Sequence, residues 1–568
     1  MRDAIIEQTI DEEIEIETTA AAINAVGRIA APNRFEATSS GFYFWIKRGV
    51  TLEENQIVFS ESRINGEEIK FYALIDEIKR TSRRADMTEE YDIGDGDVNY
   101  EPPFANEGFS YAHAQVLRIS PEISTPPIER SIVFLGEEAE AKIAYGFDEI
   151  SRPMPIGLLK NGRNFAGNGL IDLDYLLGEN GGHLNVNGMA GAGTKTSFLL
   201  TTIKSLETEA KKSLISNDRL FIVPIILNVK GEDLMWINRR NKNFTEADEA
   251  DWHSLGIEPK PFEDAEFYEP KGKPIHECEA TAYSWSLQDI LSEESLPFIF
   301  SEEDNLNENM TSLVREIVAR ITRPDGKTLN DALSEKTWRG FLAWVREQSE
   351  HGADGIYGKG TWRAVYRRLF NVLEEGKDIF PQNDNDTNPL RVARIESSPP
   401  QVIDVNSLPT SLQRFVVGSI LKQVETERKT NRIANLRYVI MLDELNRFAP
   451  RGARDEITRL LERIATEMRS QGVIMLGAQQ MASQVSAKVI EMASIRVLGR
   501  TGAAELTDKI WTSWEKSVRD KATKLQLSEK LVTQPTFRQP MLVKVPLNPW
   551  ADKHAHIAAA NNDKPLEI

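Results

Sequence analysis

A chain of 568 residues is too long for one hydrophobic core and is expected to divide into about three to four modules. Its 40% hydrophobic and 27% charged residues are those of an ordinary globular protein, and a formal net charge of -19 argues against a surface that coats nucleic acid non-specifically. That charge leaves open nucleic acid held in an internal channel, while the single cysteine, Cys278, excludes an intramolecular disulfide and a cysteine-based zinc cluster.

The first seventeen residues, "MRDAIIEQTIDEEIEIE", are acidic where a signal peptide needs a basic start and a long apolar run. No stretch approaches the ~18 to 20 apolar residues of a membrane span. The expected location is cytoplasmic, with no membrane partner.

Residues 1–150 read as β-rich. "AVGRIAAP", "SGFYFWIKRG", "QIVFSE", "IKFYALIDEI" and "HAQVLRIS" are short runs of β-branched and aromatic residues split by Gly, Asn and Pro. Such spacing suits a small barrel or sandwich. The acidic stretch 89–108 reads as a mobile loop within it.

From 151 the pattern changes. Apolar runs such as "GGHLNVNG", "LFIVPIILNV", "LRYVIMLDE" and "GVIMLGAQQ" alternate with helical segments, and apolar strands buried on both faces are what a parallel sheet covered by helices requires. Between 286 and 398 the strands stop, and "MTSLVREIVARI", "LSEKTWRGFLAWVREQ" and "GTWRAVYRRLFNVLEEG" carry apolar residues at helical spacing. The expected organisation is a β-rich domain over 1–150, an α/β core over 151–285 and 399–550, a helical insertion over 286–398 and a tail over 551–568.

Three strand ends carry chemistry. In "NVNGMAGAGTKTSFLL" a strand, glycines and a helix follow one another, the context of a phosphate cradle. Gly188, Gly191 and Gly193 let the backbone approach an anion, and Ala190, Ala192, Thr194 and Ser197 complete the loop and helix start. Lys195 would neutralise β/γ-phosphates and the Thr196 hydroxyl would reach Mg2+. Read alone, the loop fits a glycine-rich turn with an exposed lysine equally well. In "RYVIMLDELNRFAP" an apolar strand ends in Asp443-Glu444; Asp443 would hold Mg2+ and Glu444 would polarise the water that attacks the γ-phosphate. In "GVIMLGAQQ" the strand ends at Gln479-Gln480, either of which could hydrogen-bond the γ-phosphate or that water. Three such signals in this chain order point to an ATPase.

These segments, with "IILNVKGEDL", "VIDVNSLP", "RIATEMRSQG" and "VKVPLNPW", resemble the HerA branch of the HerA/FtsK superfamily of hexameric P-loop ATPases. The resemblance implies a RecA-like core, a small N-terminal β-barrel shared with ATP-synthase subunits, ATP and Mg2+ as cofactors, and a homo-oligomeric ring, a hexamer, moving double-stranded DNA through its pore. It also implies an arginine from the neighbouring subunit at each site. Arg469 is the best match, with Arg496 and Arg500 in reserve. HerA-type proteins work with a separate effector protein, a nuclease or an NAD-hydrolysing enzyme, which makes a role in bacterial anti-phage defence an expectation here. Candidate pore residues are Arg239, Arg240, Lys242, Arg451 and Arg454, whose phosphate contacts would be sequence-independent.

One departure stands out. Thr194 occupies the family's glycine before the lysine, and the loop is one residue longer. A Cβ there restricts φ, so slow hydrolysis or an altered nucleotide preference is expected. The rival readings are a nucleotide-stabilised scaffold ring and a protein-remodelling ATPase.

Overall fold

The computed structural model describes residues 24–30, 36–81, 87–100, 108–189, 194–214, 219–275, 277–300, 308–351, 356–382 and 387–557. Two compact units emerge: one of Met1–Pro153, Gly157–Leu170 and Pro535–Lys544, the other of Met154–Ile156, Ile171–Gln534 and Val545–Ile568.

The first unit contains a closed antiparallel barrel. Its strands are β1 (Ala25–Ile29), β2 (Gly41–Ile46), β3 (Ile57–Ile64), β4 (Glu67–Thr81), β5 (Phe109–Ser120) and β6 (Ile132–Leu135), closing in the order β1-β2-β5-β4-β3-β6. Side chains alternate across a strand, so β2 buries Phe42, Phe44 and Ile46 and turns Trp45 outward. Phe71, Ile75, Ala112, Ala114 and Val133 fill the same interior. At Gly27 a Cβ would lie 2.0 Å from the carbonyl oxygen of Trp45, so glycine lets β1 and β2 close up. Asn65-Gly66, both at positive φ, form the two-residue turn between β3 and β4. The acidic stretch expected to be a loop starts instead as a helix, Met87–Gly94, stopped by positive φ at Asp95 and Gly96; residues 101–107 lie outside the described ones. A hairpin of β7 (Pro153–Asn161) and β8 (Asn164–Asp172) follows in the chain.

The second unit is an α/β layer structure. Its strands are β9 (Leu184–Asn187), β10 (Phe221–Asn228), β11 (Glu266–Pro270), β12 (Thr281–Tyr283), β13 (Gln401–Asp404), β14 (Leu436–Leu442), β15 (Val473–Gln479), β16 (Ile495–Leu498) and β17 (Glu529–Thr533). They lie in the order β12-β11-β13-β10-β14-β15-β9-β16-β17, with every pairing parallel except β16 with β17. Every residue of β9, β13 and β15 is buried, as strands covered on both faces require; β15 shows this as an apolar run, whereas β9 also buries Asn185 and Asn187. Helices Thr194–Ser213, Thr410–Thr430 and Glu456–Arg463 make crossovers between parallel strands.

Between β12 and β13 the chain is helical, with Leu287–Ser292, Glu308–Ile321, Trp338–His351 and Lys359–Glu375. Aromatic packing fixes this segment to helix Thr410–Thr430: Phe415 lies 5.2 Å from both Trp285 and Phe380, and Trp338 lies 5.0 Å from Phe380. Trp338 Nε1 also donates to the Trp285 carbonyl at 2.9 Å. Among the described residues no helix is long and apolar enough to cross a membrane.

Candidate functional site

Strands β14, β15 and β9 are neighbours and run parallel, so their carboxyl ends lie side by side. Open parallel sheets bind ligands at that edge. β9 leads into Gly188 and Met189, held by backbone bonds to Gln479 (3.2 Å) and Arg500 (2.7 Å). Ala190, Gly191, Ala192 and Gly193 lie outside the described residues, as does the Thr194 side chain. Helix Thr194–Ser213 then begins.

Lys195 is 7% exposed and, among the described residues, has no hydrogen-bond or ion-pair partner. Burial depresses its pKa, Asp443 and Glu444 oppose that, and Lys230 adds to it. A buried ammonium is costly unless it meets an anion. Next to it, Thr196 Oγ1 donates to Asp443 Oδ2 at 3.2 Å, bringing a hydroxyl and a carboxylate together at the helix N-terminus. Asp443 Oδ1 accepts from the Glu444 amide at 2.8 Å. Ser197 Oγ accepts from Asn548 Nδ2 at 2.8 Å, which ties the helix start to a distant segment.

Glu444 is buried and sits at φ 54°, a left-handed conformation that costs an ordinary residue on the order of 1–3 kcal/mol and concentrates at functional sites. Its Oε1 accepts from Gln480 Nε2 at 2.8 Å, with Lys230 Nζ at 3.6 Å.

Gln479 points elsewhere. It is fully buried and pairs reciprocally with Asn185, Nε2 donating to Oδ1 at 2.7 Å and accepting on Oε1 from Nδ2 at 3.0 Å. Removing one buried amide strands the other, at a cost of roughly 1–3 kcal/mol. Gln479→Ala and Asn185→Ala are therefore expected to lower the melting temperature by several degrees, with smaller losses in any turnover than Gln480→Ala causes; thermal melts and phosphate-release rates of the three variants check this.

The three arginines have different surroundings. Arg469 is exposed and precedes β15, at the opposite end of that strand from Gln479. Seven residues at about 3.3 Å each put it roughly 20 Å from the carboxyl edge of its own sheet. Arg496 is engaged internally: Nη2 donates to the Ile510 carbonyl at 3.2 Å and the guanidinium lies 5.7 Å from the Trp511 ring. Arg500 is exposed beside the β9 loop, its carbonyl holding Met189.

Arg239, Arg240 and Lys242 are exposed on a backbone pinned to residues 549–557: Asn241 N donates to Pro549 O at 2.9 Å and Lys242 N to His556 O at 2.8 Å. Arg240 covers the Phe244 ring at 6.0 Å. Arg451 donates to the Ser483 carbonyl and lies 3.3 Å from Asp508, while Arg454 is exposed. The Cys278 thiol is half-buried and pushed up to about 11, away from nucleophilic chemistry at neutral pH.

Lys230 and the paired asparagines were missing from the sequence-derived set. Asn185 and Asn187 alternate within an otherwise apolar buried strand, a signal of buried polar pairing. Lys230 lies within the quoted "NVKGEDL", but only the fold brings it to Glu444.

Parallel order, a buried lysine at a helix start, an Asp-Glu strand end and a glutamine just past the strand between them make this edge a candidate anion-binding site on a parallel α/β sheet. No protein-family model matches the chain, and no curated protein does. Among solved structures it is similar to VirB4 of Thermoanaerobacter pseudethanolicus, at 14% identity and TM-score 0.44 over 70% of this chain and 97% of that one. It is also similar to the plasmid coupling protein TrwB in complex with a non-hydrolysable GTP analogue, at 13% identity and TM-score 0.46 over 75% and 96%. A smaller match is the genome packaging NTPase B204 of Sulfolobus turreted icosahedral virus 2 in complex with ATP-gammaS, at 16% identity and TM-score 0.20 over 27% and 69%.

Proposed function

We propose that the chain is an ATP-hydrolysing ring subunit that moves double-stranded DNA, of the HerA type. The observation that carries this reading is the convergence of Lys195, Thr196, Asp443, Glu444 and Gln480 at one sheet edge. Each supplies what phosphoryl transfer needs. The buried ammonium of Lys195 binds the β- and γ-phosphates. Glu444 takes the proton of a water whose oxygen attacks the γ-phosphorus, and the bond from that phosphorus to the β,γ-bridging oxygen breaks, so ADP and phosphate leave. Gln480 holds the Glu444 carboxylate and senses the γ-phosphate.

The adjacent Thr196 hydroxyl and Asp443 carboxylate are an oxygen donor set that fits Mg2+, which prefers few protein ligands plus phosphate and water. Bound there, Mg2+ would neutralise charge on the phosphates.

Arg469 cannot reach its own chain's edge, so in this reading it serves a neighbour's site and each site needs two subunits, which a hexamer would supply. Exposed Arg239, Arg240, Lys242 and Arg454 would line the pore, with Arg451 beside them. A separate effector, a nuclease or NAD-hydrolysing enzyme, and an anti-phage setting complete the proposal by resemblance.

The test is phosphate release with and without duplex DNA. Several-fold stimulation by DNA, weakening steeply with salt, is expected. Nucleotide binding without turnover would replace the motor with a scaffold ring, and stimulation by unfolded polypeptide instead of DNA would replace DNA as the cargo.

A further inference from the structure

Arg469 follows an irregular stretch of helix. Glu456–Arg463 is α-helical, Ile464–Met468 widens to π spacing, and Arg469–Gln471 tightens to a 3-10 turn. Where the hydrogen-bond spacing changes, carbonyls lose regular partners and need donors from outside.

His183 supplies one. Its ring is fully buried, and the Met475 amide donates to Nδ1 at 3.0 Å. That leaves the proton on Nε2, which donates to the Ala465 carbonyl at 3.1 Å, inside the π turn. Burial lowers this imidazole to about 4, so the neutral tautomer is the working form. The segment before His183 is moulded on Arg469 as well. At Gly178 (φ 94°) a Cβ would lie 2.3 Å from the Arg469 carbonyl oxygen, and at Gly182 one would lie 3.0 Å from Arg469 Cβ. β9 therefore has His183 at one end, against the turn that presents Arg469, and Gly188 at the other, at the loop of Lys195.

We propose that His183 is the positioning residue for Arg469, holding the π turn so that the arginine meets the site of the neighbouring subunit. The inference rests on the trans role of Arg469 under the proposed function.

The experiment is steady-state ATP turnover and thermal melting of the full chain with four variants. His183 stands at φ 65°, which asparagine tolerates well. In His183→Asn the side-chain oxygen can still accept from Met475, but nothing reaches Ala465. In His183→Gln the longer amide keeps the donor. Arg469→Ala is expected to lower kcat by about a thousand-fold or more. His183→Asn should lower kcat about ten-fold with KM unchanged, His183→Gln should stay within about two-fold of wild type, and the double variant His183→Asn/Arg469→Ala should be no slower than Arg469→Ala alone.

Equal losses in both His183 variants, a raised KM, or failure of His183→Asn to fold would make His183 a packing residue and overturn the inference while leaving the function intact. A double variant about ten-fold slower than Arg469→Ala would show that His183 acts independently of the arginine. If Arg469→Ala leaves kcat unchanged, the trans assignment itself falls and takes the inference with it.

Discussion

Glu444→Gln is expected to abolish at least about 99% of ATP turnover while nucleotide still binds, since a positioned general base is worth about 10²–10⁴-fold. The geometry isolates that role. The carboxylate is buried at the end of β14, in a left-handed backbone conformation that lets it face Gln480 and Lys230. It makes no bond to the Thr196–Asp443 pair beyond its own backbone amide. Glutamine has the same shape, so the site keeps its form and loses only the basic oxygen. Phosphate release and nucleotide titration on the same preparation measure the two properties separately. Turnover within a few-fold of wild type would remove Glu444 from the chemistry.

The second large effect runs in two directions. Lys195→Met should weaken ATP binding by at least about a hundred-fold, given that charge-assisted bonds to phosphate are among the strongest polar contacts. The same change should raise the melting temperature of the nucleotide-free protein. The reason is that Lys195 is buried without a partner among the described residues, and its depressed pKa is the sign of an ammonium held in an environment that disfavours it. Wild type should gain stability on adding ATP, following the logarithm of ligand concentration over Kd, and Lys195→Met should not. Melting curves with and without ATP decide it: a destabilised, still ATP-responsive variant would make Lys195 a structural residue.

Much of this architecture is legible in the chain as written. The unbroken apolar runs of β10, β14 and β15 require burial on both faces, which a sheet covered by helices provides. The alternation of "GFYFWI" requires a one-sided sheet, and the barrel supplies it. Asp443-Glu444 after four apolar residues announces a site because carboxylates at a buried strand end need a counterpart.

The choice between Gln479 and Gln480 could not be read that way. Adjacent residues on a strand point to opposite faces, so one glutamine must differ from the other, but only the strand order β14-β15-β9 determines that Gln480 meets Glu444 and Gln479 meets Asn185. The acidic stretch from 89 looked like loop because local composition says nothing of the helix Met87–Gly94. In sequence only the resemblance ranks Arg469 ahead of Arg496 and Arg500, since local pattern says nothing of their surroundings. Tertiary packing separates them: a strand's length removes the first from its own site, Trp511 and the Ile510 carbonyl engage the second, and the third lies beside the loop.

By itself, then, the sequence determined which segments are buried and which strand ends carry charge, since both follow from local pattern and the cost of burying polar groups. Which of those groups touch was decided only by the fold, because Thr196 and Asp443, or His183 and Ala465, are brought together across hundreds of residues by strand order and not by any periodicity along the chain.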